Sequence, residues 1–123
     1  MLSHISVGVK DIGRSKFFYE KVLAPLGYVC VMDKGHAIGF GEPGGEDKLT
    51  LFSRPGLVIA PSTGFHVAFL ASTRGSVDAF HAAAIAAGGI DSGKPGPRPQ
   101  YGPSYYAAFV IDLDGYKLEA HCQ

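Results

Sequence analysis

Two stretches of this chain, HISVGVKDIGRSKFFYEKVLAPLG over residues 4–27 and HVAFLASTRGSVDAFHAAAIAAGG over residues 66–89, carry the same signals in the same order. In the first, Ile5, Val7 and Val9 alternate with small or polar residues, the period of a strand with one covered face. Asp11 then stands where a helix cap is wanted, Phe18 and Val22 share one helical face, and Pro25 and Gly27 stop the helix. In the second, an alternating strand leads into an alanine-rich helix capped by Ser72 or Thr73 and stopped at Gly88 and Gly89. An offset of 62 residues lays His4 on His66, Phe18 on Phe80 and Gly27 on Gly89, so strand, helix and stop signal coincide together. That is the mark of an internal duplication.

Outward from these stretches the order continues to match. YVCVMD (28–33), HAIGFGE (36–42) and KLTLFS (48–53) read as short strands after the first helix, giving βαβββ. A short strand around Ile90 and a hairpin in YYAAFVIDLDGYKLEAHC (105–122) complete the second unit, with the strand ends aligning at an offset of 69 that sets Lys48 against Lys117. The expected fold is therefore α+β, a single domain over 1–123 whose modules, 1–60 and 64–123, form curved mixed sheets around a cavity. RPGLVIAPST (54–63) is the natural link. The longest irregular stretch expected is DSGKPGPRPQYGPS (91–104), where proline and glycine interrupt either regular structure and leave a surface loop suited to a lid or rim.

The bulk composition narrows the function. A chain of 123 residues, 46% hydrophobic with 17 glycines and 8 prolines, supports one real core interrupted by many turns. Eleven basic residues balance 11 acidic ones without clustering, which gives little pull toward nucleic acid or an anionic membrane. The opening MLSHISVGVKD has neither the apolar core of a secretion signal nor the length of a membrane span, so the expected location is the cytoplasm. Cys30 and Cys122 lie in no CxxC spacing and read as reduced thiols packed like small hydrophobes. GEPGGE (41–46) lacks the context of a nucleotide loop, DLDG (112–115) reads as a tight turn, and no GxSxG marks a serine nucleophile.

Three residues stand apart. His4 shares strand parity with Ser6 and Gly8, and His66 with Ala68 and Leu70, each opposite the bulkier face of its strand. In GYKLEAHCQ, the end of the chain, Glu119 takes the opposite parity from Leu118 and Ala120. If a two-fold relates the modules, the histidines converge, and two imidazoles with one carboxylate make a triad for Zn(II), Ni(II), Mn(II) or Fe(II) that leaves positions for a substrate's oxygens. Lys94, Arg98, Tyr101 and Tyr105, on or beside the long loop, are candidates for holding an anionic group and walling the site.

On HISVGVKDIGRSKFFYEKVLAPLGY, KLTLFSRP, GFHVAFLA and YYAAFVIDLDGYKLEAHC, nearly the whole chain resembles the vicinal oxygen chelate superfamily of glyoxalases, bleomycin-resistance proteins and extradiol dioxygenases. The resemblance implies metal ligands at His4, His66 and Glu119, with Glu119 also catalytic, and a small-molecule substrate with vicinal oxygens. It implies a homodimer whose site is shared between chains or closed within one, and glutathione as a co-substrate in some members. The fourth ligand of glyoxalase I falls here on Lys48 or Thr50, neither of them Glu or Gln; Glu46 and Asp47 lie just before that strand. The expected activity is that of a glyoxalase-like, metal-dependent lyase or thiol-chemistry enzyme. The alternatives are a metal-free binding protein of the bleomycin-resistance type and an Fe(II) ring-cleaving dioxygenase, for which Tyr101, Tyr105 and His121 are candidate extra groups.

Overall fold

The computed structural model describes residues 1–56 and 64–123, so most of the expected link at 54–63 lies outside the described residues. The first module runs β1 (Ile5–Val9), α1 (Ile12–Leu23), a 3-10 turn (Ala24–Leu26), β2 (Val29–Asp33), β3 (Ala37–Gly41) and β4 (Leu49–Ser53). The second runs β5 (Val67–Leu70), α2 (Arg74–Ala86), β6 (Ile90–Pro97), β7 (Tyr106–Ile111) and β8 (Lys117–Cys122). Among the described residues each module forms its own four-stranded mixed sheet, in the orders β1-β4-β3-β2 and β5-β8-β7-β6. The α+β fold of tandem βαβββ modules is as the sequence implies.

The duplication holds down to register. Ile5 sits opposite Leu49 and Val67 opposite Leu118, both in parallel pairs, so the offsets of 62 (5 to 67) and 69 (49 to 118) apply to the two strands at once. The helix caps match as well. Asp11 accepts from the Arg14 amide and Thr73, rather than Ser72, accepts from the Ser76 amide, each satisfying a donor the helix start leaves open. Gly27 takes the left-handed backbone that ends its helical segment, at φ 86°, whereas in the second module it is Gly88, one residue before the Gly89 that the offset of 62 selects, at φ 99°.

One face of each sheet packs against the helices to form the core. Val7, Val9, Leu49 and Leu51 alternate into the core from β1 and β4, as Val67, Leu118 and Ala120 do from β5 and β8. Phe18 and Val22 of α1 and Val77, Phe80 and Ala84 of α2 close over them. Each large side chain buried this way contributes about 1.5–3 kcal/mol, which makes this shared core the main force holding the modules together. Polar ties reinforce it. The Tyr19 hydroxyl donates to Asp112, Ser15 Oγ donates to Asp114 at 3.2 Å, and the Tyr28 and Tyr116 hydroxyls donate across the modules to the Leu70 and Gly8 carbonyls.

The stretch 91–104 departs from expectation. Asp91–Pro97 extends the strand begun at Ile90, and only the remainder is loop. The reason is position: β6 is an edge strand whose register against β7 shifts twice, and an edge with bulges tolerates prolines whose missing amides would break a central strand.

Candidate active site

The opposite, inner face of each sheet carries the candidate chemistry. On β8, Leu118, Ala120 and Cys122 go to the core, so Lys117, Glu119 and His121 take the inner face. Glu119 pairs in register with Ala68 on one side and Phe109 on the other. The small Ala68 leaves the room that the imidazole just before β5 uses. His66 Nε2 lies 3.0 Å from Glu119 Oε1, with the carboxylate 5% and the imidazole 42% exposed.

The second carboxylate oxygen is held from behind. The Tyr105 hydroxyl donates to Glu119 Oε2 at 2.5 Å, and the Tyr105 ring stacks flat on His121 at 4.7 Å. Burial, and then the bond to Glu119, push the Tyr105 phenol far above its ordinary range, so it stays a donor. His121 Nδ1 is buried without a hydrogen-bond partner among the described residues.

A pocket of about 440 Å³ opens over this pair, with Arg98, Tyr101, Tyr105, Phe109 and Lys117 in its wall. Arg98, just past the end of β6, is fixed there by that strand: Nη1 donates to the Gly96 carbonyl at 2.9 Å and Nη2 to that of Lys94 at 2.7 Å, while the guanidinium stacks on Phe109 at 5.7 Å. The Lys117 ammonium lies 4.8 Å from the same ring. The sequence-derived set is thus partly assembled: His66, Glu119, Arg98, Tyr101 and Tyr105 meet here, whereas Lys94 is exposed and offers the site only a backbone carbonyl. Lys117 and Phe109 were not singled out from the sequence. Lys117 shares parity with Glu119, the one signal that places it on this face. A larger cleft of about 500 Å³, lined by Tyr28, Glu46, Lys48, Ala68 and Leu70 among others, lacks a paired imidazole and carboxylate.

His4 lies elsewhere. It immediately precedes β1 in the other sheet, exposed, with Ser3 Oγ at 2.7 Å from Nδ1. Among the described residues no three His, Cys, Asp or Glu side chains of one chain converge as a metal site. His66 Nε2 and Glu119 Oε1 are within hydrogen-bond distance of each other, and an imidazole and a carboxylate brought together in this way are donor types that would suit one divalent ion. A carboxylate with its second oxygen hydrogen-bonded is also how ligating carboxylates are supported.

Comparison with known proteins gives the family and the fold. The model of the Glyoxalase/Bleomycin resistance protein/Dioxygenase superfamily matches residues 1–120, and the chain belongs to that superfamily. It is similar to a glyoxalase/bleomycin resistance protein from Albidiferax ferrireducens T118, with 33% identity and a TM-score of 0.84 over 99% of this chain and 98% of that one. At 22% identity and a TM-score of 0.72 it shares the fold of the E126Q mutant of the fosfomycin resistance protein FosX from Listeria monocytogenes, complexed with Mn(II) and 1S,2S-dihydroxypropylphosphonic acid, covering 98% of this chain and 88% of that one. A glyoxalase I mutant from Zea mays also shares the fold, at 23% identity and a TM-score of 0.71, with 96% of this chain spanning 44% of that one. No curated protein matches the chain. No helix of the described residues is long and apolar enough to cross a membrane.

Proposed function

We propose that the protein is a metal-dependent, glyoxalase-like enzyme acting on a small anionic substrate with vicinal oxygens, and that its site is completed between two copies. The observation that carries this reading is the His66–Glu119 pair at 3.0 Å, supported by Tyr105 and facing a pocket with Arg98 and Lys117 in its wall. His66, Glu119 and His4 of the second copy would hold a divalent ion. When bound, that ion supplies a Lewis acid for adjacent substrate oxygens. Arg98 and Lys117 hold the substrate's negative group over Phe109, and Tyr101 walls the pocket. Glu119 is the group placed to take and return a proton, with Tyr105 steadying its charge.

A second copy is favoured by the edges. Among the described residues β1 pairs only with β4 and β5 only with β8, which leaves one ladder of each open. Large apolar side chains sit exposed beside those edges: Leu2 next to β1, and Phe65 and Leu70 at β5, the last 66% exposed. Pairing β1 of one copy with β5 of another would cover them and bring His4 to His66.

Mixing His4→Ala and His66→Ala chains tests this directly. Each variant alone should lose metal by elemental analysis of protein purified without chelator, and the mixed dimer should regain one intact site of its two. A mixture that regains nothing while the wild type holds metal places the site within one chain. Wild-type protein free of metal after anaerobic addition of Fe(II), Mn(II), Ni(II) and Zn(II) leaves a binding protein that uses the same pocket. The metal found then sets the screen among hemithioacetals, thiol transfers with and without glutathione, and catechols.

A further inference from the structure

We infer that Asp47 is the first module's carboxylate ligand in that same centre, delivered by the β3–β4 loop instead of by a strand position. The inference rests on the metal-site reading above and assigns a residue to the place the sequence leaves without a donor.

The two register offsets identify that place. Glu119 corresponds to Thr50 (119 less 69), and the pairings agree: Ser6 faces Thr50 in β1–β4 as Ala68 faces Glu119 in β5–β8. Thr50 also faces Gly39 across β3–β4, where Glu119 faces Phe109 across β7–β8. Gly39 thus stands at the position of an inward aromatic ring. The space such a side chain would fill is taken by Asp47: a Cβ built on Gly39 would lie 2.7 Å from Asp47 Cβ and 3.3 Å from its Cγ. The neighbours of Gly39 along β3, Ile38 and Phe40, point into the core, so Asp47 lies over the inner face.

The loop is held there. A Cβ on Gly41 would lie 2.2 Å from the Glu46 carbonyl oxygen, so the chain crosses directly over β3. Thr50, 2% exposed, donates its hydroxyl to Asp47 Oδ2, which leaves Oδ1 for a further partner. The hydroxyl bond from Thr50 holds the Asp47 carboxyl below the usual carboxylate range. Each module therefore offers one imidazole and one carboxylate: His66 with Glu119, and His4 with Asp47. The Thr50 hydroxyl stands behind Asp47 as the Tyr105 hydroxyl stands behind Glu119, the hydrogen-bonded arrangement expected of metal-binding carboxylates.

Calorimetric titration of the full-length protein with Mn(II), Ni(II) and Zn(II) tests the assignment. Asp47→Asn keeps an acceptor for Thr50 and removes the charge; the dissociation constant of the metal that binds wild type should rise at least about 10- to 100-fold, with the far-ultraviolet spectrum and thermal midpoint unchanged. Thr50→Val should weaken the same metal by about 10-fold through loss of positioning. Where Mn(II) binds, its electron paramagnetic resonance spectrum should change in Asp47→Asn. Tight binding in wild type, lost in His66→Ala but equal in Asp47→Asn, overturns the role of Asp47 alone. No binding in wild type overturns the metal reading and this inference with it.

Discussion

Glu119 is an acid on an inner face that is only 4% exposed, and its two oxygens find different partners, His66 on one and Tyr105 on the other. A carboxylate so enclosed depends on both. Tyr105→Phe removes a short charge-assisted bond without changing the ring that stacks on His121, so folding should survive while metal affinity falls about 10- to 100-fold, as calorimetry would measure. Strand parity alone was enough to turn Glu119 away from the core and to bring His66 onto its face. It could not supply Tyr105's bond, because Tyr105 precedes β7 and its reach depends on how the 98–105 segment folds back. Nor could it choose Lys117 over Lys94, since Lys94 belongs to an edge strand that the prolines disguised as loop.

At the level of elements, the helix caps were legible because they are local: Asp11 and Thr73 sit three residues before the amides they receive. The β3–β4 loop was not, because its course is set by contacts across the sheet. Gly39 and Gly41 show this most plainly. Each occupies an ordinary strand position, yet each is required to be small by the chain passing over it. Gly41→Ala would drive a methyl group into the Glu46 carbonyl, and the strand cannot give way without disturbing Phe40 in the core. The expected cost is about 1–3 kcal/mol in urea unfolding, with weaker metal binding as Asp47 is displaced.

For the molecule as a whole, the Tyr19–Asp112 bond joins α1 of one module to the hairpin turn of the other, inside the shared core. Tyr19→Phe leaves a buried carboxylate short of a donor, although the Asp114 and Tyr116 amides still serve it, and should cost about 1–3 kcal/mol at neutral pH. Burial, and then the charge of Asp112, hold the Tyr19 phenol well above its ordinary value. The folded state therefore binds this proton more tightly than the unfolded chain does. Its contribution is fully present below about pH 10 and is lost as pH rises further, so alkaline unfolding should narrow the gap between wild type and Tyr19→Phe.

The excursion of chain between Gly41 and Lys48 has a consequence for descent. A donor carried on a strand changes only when its codon changes, because insertion or deletion there would shift the register of the whole sheet. A donor carried on a loop is exposed to a different kind of variation. Lengthening or trimming 42–47 would leave β3 and β4 paired and yet withdraw Asp47 from Gly39. If Asp47 is the second carboxylate donor, a small insertion or deletion in 42–47 would remove it, and the chemistry that depends on it, while the fold stays as it is.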